Sequence, residues 1–527
     1  MKNRSYDYYK HHKVNNLKEI MDLTIKRNNS NIAFSFFESE KVINKTYQEF
    51  YDEVIFLSNY LNYNYRKKHI AIVGENSYQY IVLFFAIIIS GNVAVIIDKD
   101  LDNETLKQLL KNSDSDVMFY SNKYTDDLNI KIQKHHFLEM DMLINEGKQY
   151  DNKHKINDDE CAAIFFTSGT TGANKGVMLS QKNIAYDVYA SCSNFLLEGS
   201  TLCLLPFHHT FGLITSVIMA YYYGYTVFIN SSLRRIQQEM QIAKPDTLVV
   251  VPAFIENFYK QIWVTARRTK KDKVLKNSIK ISNGLLKVGI DVRKTLFKSI
   301  HDNFGGNLNK IICGGAFLNQ KYVKWFRSIG IEILNGYGIT ECSPVVAVNR
   351  NKDYRDGSVG KLIKGCNVKI VDSEIVVTGD NVMLGYYKDK KSTNMVLNKK
   401  SFHTGDLGYI DENGFLYITG RKKNLIILSN GENISPEEIE KKISQNKGIC
   451  EIVVYEQDNR IIAEIYPEDD YFGNQAYFDN IIKKYNLSVP KNRQISYVKL
   501  RTSEFIKNNN KKILRNKIGE EYNNERK

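Results

Sequence analysis

Apolar and polar positions alternate along this chain in two periods. Helical spacing over residues 17–27 and 47–61 predicts amphipathic helices. Short β-rich runs at 69–73 and 93–98 predict strands, and the apolar runs at 161–166 and 247–251 predict buried ones. A further helix is expected over 322–328 and a strand over 332–334. This alternation through the first 420 residues or so points to parallel sheets flanked by helices. The most apolar stretch, 80–97, is interrupted by Ser90-Gly91-Asn92 after about ten residues, half the ~20 that a membrane helix needs. It predicts a buried helix, a glycine turn and a buried strand. Residues 230–310 are polar and mostly helical, with the basic run RRTKKDKVLKNSIK inside them, suited to cover a surface or close over a pocket.

From Gly357 the pattern changes to short strands and turns (VKIVD, EIVVTG, FLYITG), which predicts a small, partly antiparallel β module. Gly420-Arg421-Lys422-Lys423 has linker character. Beyond it, Ser435-Pro436-Glu437-Glu438 predicts a helix start, with serine as N-cap, proline at the first position and Glu438 closing a capping box.

At 527 residues the chain exceeds one hydrophobic core, so at least two domains are expected, one of them large. The 73 basic and 59 acidic side chains leave a net charge of +14. That charge reads either as a solvated lysine-rich surface or as attraction to anions such as ATP, coenzyme A, an acidic carrier protein or an anionic membrane. The basic residues are denser in 267–310 and 507–527, but no nucleic-acid module accompanies them. Seven cysteines without C-x-x-C spacing support neither a disulfide framework nor a zinc site. A reducing, cytoplasmic setting is expected, and the opening residues lack the apolar core of a signal peptide.

The strongest chemical signal is AAIFFTSGTTGANKGVMLS, residues 162–180. A buried strand runs into Thr167-Ser168-Gly169-Thr170-Thr171-Gly172 and then reaches Lys175-Gly176. Glycines let the backbone turn sharply and aim N–H groups at one point, while hydroxyls and a lysine gather there. Many donors, positive charge and little bulk are what a polyphosphate requires. The loop is not a Walker A sequence, because Asn174 precedes the lysine and Gly176 follows it.

This stretch resembles the phosphate loop of the adenylate-forming superfamily, with Asn174 where the family has proline. Further motifs follow in family order: LPFHHTFGL (205–213), CGGAFL (313–318), NGYGITECSPV (335–345), FHTGDLGYID (402–411), GRKKNLIILSNGENISPEEIE (420–440) and KKILR (511–515). The match covers residues 17–517 and looks most like bacterial long-chain fatty acyl-CoA synthetases. The resemblance implies an α/β fold with a large N-terminal domain of parallel-rich sheets and a small β module (1–419). A hinge (420–423) and a small, mobile α+β C-terminal lid (424–527) follow.

It also implies the roles. Thr167, Ser168, Gly169, Thr170, Thr171, Gly172 and Lys175 would hold phosphates. Gly314, Gly315 and Ala316 would line the adenine and the acyl carbonyl. Within Asn335-Gly336-Tyr337-Gly338, Tyr337 would stack on adenine. Thr340 would contact the α-phosphate, and Glu341, with Thr170, would hold Mg²⁺, a hard cation suited to carboxylate and phosphate oxygens. Asp406 and Arg421 would reach the ribose. Lys512, with Lys511 as fallback, would counter charge at the bridging oxygen during adenylation. His209 borders the acyl site or packs in the core. Lys423 takes the hinge position and Gly431 the thiol tunnel.

The implied reaction is ATP-dependent activation of a carboxylic acid to acyl-AMP, followed by transfer to coenzyme A or to the phosphopantetheine arm of an acyl carrier protein. Amino-acid-activating relatives carry an aspartate just after the LPFHH region. Here the nearest acidic residue along the chain is far off, which argues against an α-amino acid, while the resemblance of the HHTFG form and of the helical insert before CGGAFL to long-chain fatty acyl-CoA synthetases implies a medium- or long-chain fatty acid.

Overall fold

The computed structural model describes residues 7–121, 130–152, 154–168, 174–197, 199–427, 433–458, 460–507 and 513–518. Two large sheets organise its first two-thirds. The seven-stranded sheet runs in the order Gly385–Tyr386, Asn174–Ser180, Cys161–Ser168, Val93–Ile97, His69–Val73, Ser115–Tyr120, Gln133–His136. Its last five strands are parallel; Asn174–Ser180 adds antiparallel to Cys161–Ser168, and Gly385–Tyr386 antiparallel to Asn174–Ser180. The nine-stranded sheet has a parallel centre of Glu332–Gly338, Lys310–Cys313, Thr247–Val250, Thr201–Cys203, Val227–Ile229 and Ile32–Glu38. The buried runs seen in the sequence are these central strands, covered on both faces.

The apolar stretch 80–97 folds as the helix Tyr78–Ile89, buried at every position but Gln79, a turn at Gly91 and the strand Val93–Ile97. Ser77 caps that helix by accepting from the Tyr80 N–H. Among the described residues, no helix is long and apolar enough to cross a membrane. The expected β module is present as the antiparallel strands Asn367–Val371, Glu374–Thr378, Ser401–Ile410 and Leu416–Arg421.

Two local expectations are corrected. Gly420 and Arg421 are not linker residues: they end the strand Leu416–Arg421 and pair with Leu407 and Asp406, so only Lys422–Asn424 forms a turn. Ser435 does cap the helix Pro436–Ile443, but Glu438 does not complete the box. The serine hydroxyl instead donates to the Thr419 carbonyl, which ties the helix start back to the preceding strand.

The C-terminal part has its own core, in which Ile439, Ile443, Ile465, Phe478 and Ile482 pack between two helices and the strands Ile449–Gln457, Arg460–Pro467 and Ile495–Leu500. Its contacts with the rest of the chain include polar ones. Asn319 Nδ2 donates to the Ser444 carbonyl (2.8 Å), and Lys441 Nζ to the Gly357 carbonyl (3.3 Å). Phe478→Ala empties the centre of this small core. It is expected to cost about 3–5 kcal/mol, read as a lowered denaturant midpoint for unfolding of the C-terminal part.

Candidate active site

Parallel strands place their carboxyl ends at one edge, where the connections leave room for ligands. Here the carboxyl ends of both large sheets open on the same cavity, of about 1830 Å³. The seven-stranded sheet contributes Gly74-Glu75-Asn76 after His69–Val73, Asp98 after Val93–Ile97, and Thr167. The nine-stranded sheet contributes Leu204, Val251, Gly314 and the Gly336–Glu341 segment.

Most expected site residues meet in this cavity. Thr167, Lys175, His209, Gly314, Gly315, Ala316, Gly336, Tyr337, Gly338, Thr340, Glu341, Arg421 and Lys423 all line it. The backbone of Ser168 pairs with Asn174 across the hairpin. Gly169, Thr170, Thr171 and Gly172 lie outside the described residues, as do Gly431, Lys511 and Lys512. Their flanks are informative: Thr167, Asn174 and Lys175 line the cavity on one side, and Ile506, Lys507, Leu514 and Lys517 on another. Lys507 and Ile513 form a β-bridge, so the chain on either side of 508–512 is held together at the cavity rim.

The strand Glu332–Gly338 carries a bulge between Tyr337 and Gly338. A bulge re-aims a side chain, and here the Tyr337 ring faces the cavity. Gly338 is required at this point, because a Cβ would lie 2.2 Å from the Pro344 carbonyl oxygen. The Tyr337 hydroxyl donates to Asp406 Oδ2 at 2.6 Å, and Arg421 Nε lies 2.6 Å from Asp406 Oδ1. Asp406 and Arg421 are fifteen apart in sequence but directly opposed across a strand pair.

Asp406 is only 3% exposed and sits behind Tyr337 and Arg421 rather than on the cavity wall. Asn335 also stays off the wall, where its carbonyl accepts from the Asn349 N–H at 2.8 Å.

Glu341 is a buried acid on the cavity wall. Burial pushes its carboxyl above the usual range, opposed by the Tyr386 hydroxyl, which donates to Oε1 at 2.9 Å. The Lys175 ammonium lies 4.8 Å from the Tyr386 ring centroid. Tyr386 therefore joins the phosphate-loop lysine to the acid. Nothing in the local sequence marks it: Gly385–Tyr386 is a two-residue strand, placed only by pairing with Val177 and Met178.

A desolvated carboxylate on a cavity wall fits magnesium. A hard cation there would be held by the Glu341 carboxylate together with phosphate oxygens. Thr340 stands beside it, with its hydroxyl 3.4 Å from that of Thr210.

The LPFHH segment is pinned by Asn76, which donates to the Leu205 carbonyl (2.7 Å) and accepts from the Phe207 N–H (2.8 Å). His208 and His209 pack with ring centroids 4.2 Å apart. Burial and the neighbouring His209 push His208 down to about 4, so it is neutral at pH 7. Asp98 Oδ2 lies 3.7 Å from His208 Nε2. An acidic residue distant along the chain is thus close in space, which removes the sequence argument based on its absence. In the KKILR segment, Arg515 Nη2 contacts both oxygens of Glu440 (2.7 and 2.5 Å), anchoring the chain just beyond Lys512.

Residues 22–387, more than two-thirds of the chain, match the family described as AMP-binding enzyme. The chain belongs to that family. Among curated relatives, this AMP-binding enzyme is 26% identical over 422 residues to the long-chain-fatty-acid–CoA ligase FadD15 of Mycobacterium bovis, covering 73% of this chain and 70% of the relative. It is 29% identical over 390 residues to the chloroplastic long-chain-fatty-acid–[acyl-carrier-protein] ligase AEE15 of Arabidopsis thaliana, covering 61% of this chain and 52% of that protein. Its fold resembles the o-succinylbenzoate CoA synthetase MenE of Bacillus subtilis in complex with its acyl-adenylate. The TM-score is 0.74 at 20% identity, over 95% of this chain and 98% of that one.

Two outcomes follow for this AMP-binding enzyme. Tyr386→Phe removes the hydroxyl from a buried carboxylate, a loss of about 1–2 kcal/mol. It should raise the magnesium needed for ATP binding by roughly tenfold, read by titrating magnesium into enzyme and a fluorescent ATP analogue. Because burial raises the Glu341 pKa, its charged form is lost from above the ordinary carboxylate range as pH falls. Apparent magnesium affinity should drop over that interval in the native enzyme and be flat in Glu341→Gln.

Proposed function

We propose that this enzyme activates a medium- or long-chain fatty acid with ATP and passes the acyl group to coenzyme A. In the first step the carboxylate oxygen attacks the α-phosphorus, the bond to the bridging oxygen breaks, and pyrophosphate leaves. In the second, the thiol sulfur attacks the acyl carbonyl, the thiol proton is released and AMP leaves. The enzyme is an AMP-forming acid–thiol ligase.

The observation that supports this reading is that one cavity is lined both by polar and charged groups suited to phosphates and by apolar side chains suited to an acyl chain. Lys175, Thr340 and Glu341 are among the first, and Phe195, Leu204, Ile236, Val251, Phe254 and Ile312 among the second. A polyphosphate needs the former and an acyl chain the latter. In this reading Tyr337 stacks on adenine and Arg421 reaches the ribose, while Asp406 holds both in place. Lys175 and the 169–172 turn grip the β- and γ-phosphates. Magnesium, when bound with ATP, offsets negative charge on the phosphates. Lys512 brings an ammonium to the bridging oxygen from a segment whose two ends already border the cavity. His209 borders the acyl site. The C-terminal lid, 424–527, then turns about Lys423 so that Gly431 faces the thiol arm. The polar contacts made by Asn319 and Lys441 suit an interface that opens and closes.

A carrier-protein thiol is the second reading for the acceptor, favoured by the named activity of the plant relative. ATP–pyrophosphate exchange across a panel of acids tests the first step. Medium or long fatty acids should stimulate it, and stimulation confined to amino or aromatic acids would sink the substrate assignment, with Asp98 then the first residue to suspect. Addition of coenzyme A or of phosphopantetheinylated carrier separates the acceptors by product mass. Lys512→Ala should slow exchange by roughly 10²–10³, the scale of one electrostatic contact made in a transition state. Transfer from supplied acyl-AMP should be little changed.

A further inference from the structure

The helices Pro252–Arg268 and Asp272–Lys287 carry a surface that the ligase chemistry does not use. Residues 264–298 hold eleven basic and two acidic side chains, a net of +9 within a chain of +14. At 100° per residue, Asp272–Lys287 has three faces. Leu275, Ile279 and Ser282 turn inward onto the core. Lys273, Lys276, Lys280 and Lys287 form an exposed row. Lys276 lies 3.9 Å from Asp272, whereas Lys273, Lys280 and Lys287 make no ion pair among the described residues. The third face is apolar and faces solvent: Val274, Ile281 and Val288, spaced by seven, are 61%, 58% and 71% exposed. Ile290, in the turn beyond, is exposed as well.

Single exposed apolar residues need no explanation, but a stripe of them beside a lysine row does. We propose that this face docks the enzyme on an anionic lipid bilayer, with the apolar stripe at the headgroup–acyl boundary and the lysines on lipid phosphates. An acidic protein would match the lysines yet leave Val274, Ile281 and Val288 against a polar surface; a bilayer interface matches both. The location is consistent with use. Phe254 and Asn257 in the first turns of Pro252–Arg268 line the cavity, and Arg267 lies about 15 Å further along the same helix, at ~1.5 Å per residue. A docked enzyme would hold its apolar cavity lining near the phase in which a long-chain acid dissolves. Only this last consequence rests on the proposed substrate.

The test is co-sedimentation of the full chain with vesicles of equal parts phosphatidylglycerol and phosphatidylcholine, against phosphatidylcholine alone. The native chain should pellet with the anionic vesicles and be released by about 0.5 M salt. Lys273→Glu/Lys280→Glu/Lys287→Glu should lower partitioning at least ~100-fold, and Val274→Ser/Ile281→Ser/Val288→Ser by about tenfold or more. Both variants should keep native circular dichroism and native exchange activity with a water-soluble acid. The proposal is overturned if the native chain stays in the supernatant, if neither variant alters partitioning, or if an acidic carrier protein binds this face while the vesicles do not. Sedimentation reads no catalysis, so these outcomes stand whichever acid the site takes.

Discussion

Glu341 holds a carboxyl group away from bulk water, and the cost of doing so organises its surroundings. An unpaired buried carboxylate is strongly disfavoured, so a donor or a cation must stand beside it. Tyr386 supplies the donor, and Lys175 lies across the same ring. These three residues come from three separate stretches of chain. They meet because Gly385–Tyr386 adds to the edge of the hairpin that carries Lys175, and because the Met383 N–H donates to the Glu341 carbonyl.

The rest of the site follows from sheet geometry. Two parallel-centred sheets present their carboxyl ends to one cavity, so a short loop at each strand end suffices to place a ligand contact. Thr167 and Lys175 come from one sheet, and Leu204, Val251, Gly314 and the Gly336–Glu341 segment from the other. The wall around His208 and His209 depends on Asn76, which reaches from the first sheet to hold the loop after a strand of the second. The C-terminal part, folded around its own core, brings a further cationic segment to the rim through the Arg515–Glu440 pair. A positive, apolar-edged helical face then extends outward beyond the cavity-lining turns of Pro252–Arg268.

Much of this was legible in the amino-acid order, for local reasons. Runs of apolar residues bounded by glycine and polar turns have few alternatives, so the strands His69–Val73 and Thr247–Val250 and the buried helix Tyr78–Ile89 stood close to where they were expected. Thr167, Lys175, Tyr337, Thr340, Glu341 and Arg421 lie in contiguous motifs whose chemistry is carried within a few residues. The errors arose where a neighbour came from elsewhere. Gly420 and Arg421 resemble a linker until they pair with Leu407 and Asp406. Asp406 gives no local sign that the Tyr337 hydroxyl and the Arg421 side chain both contact it.

The order of residues by itself determined the alternating architecture, the family and a set of polar and glycine positions on the cavity wall, because helix and strand periodicity and glycine-rich turns are properties of short segments. Only the tertiary structure decided which groups face the ligand and which stand behind them. It brought Asp98 to His208, Tyr386 to Glu341 and Glu440 to Arg515 across separations that no local pattern records. Such pairings are set by how sheets and helices pack, and a contact between distant segments leaves no periodic trace in either one.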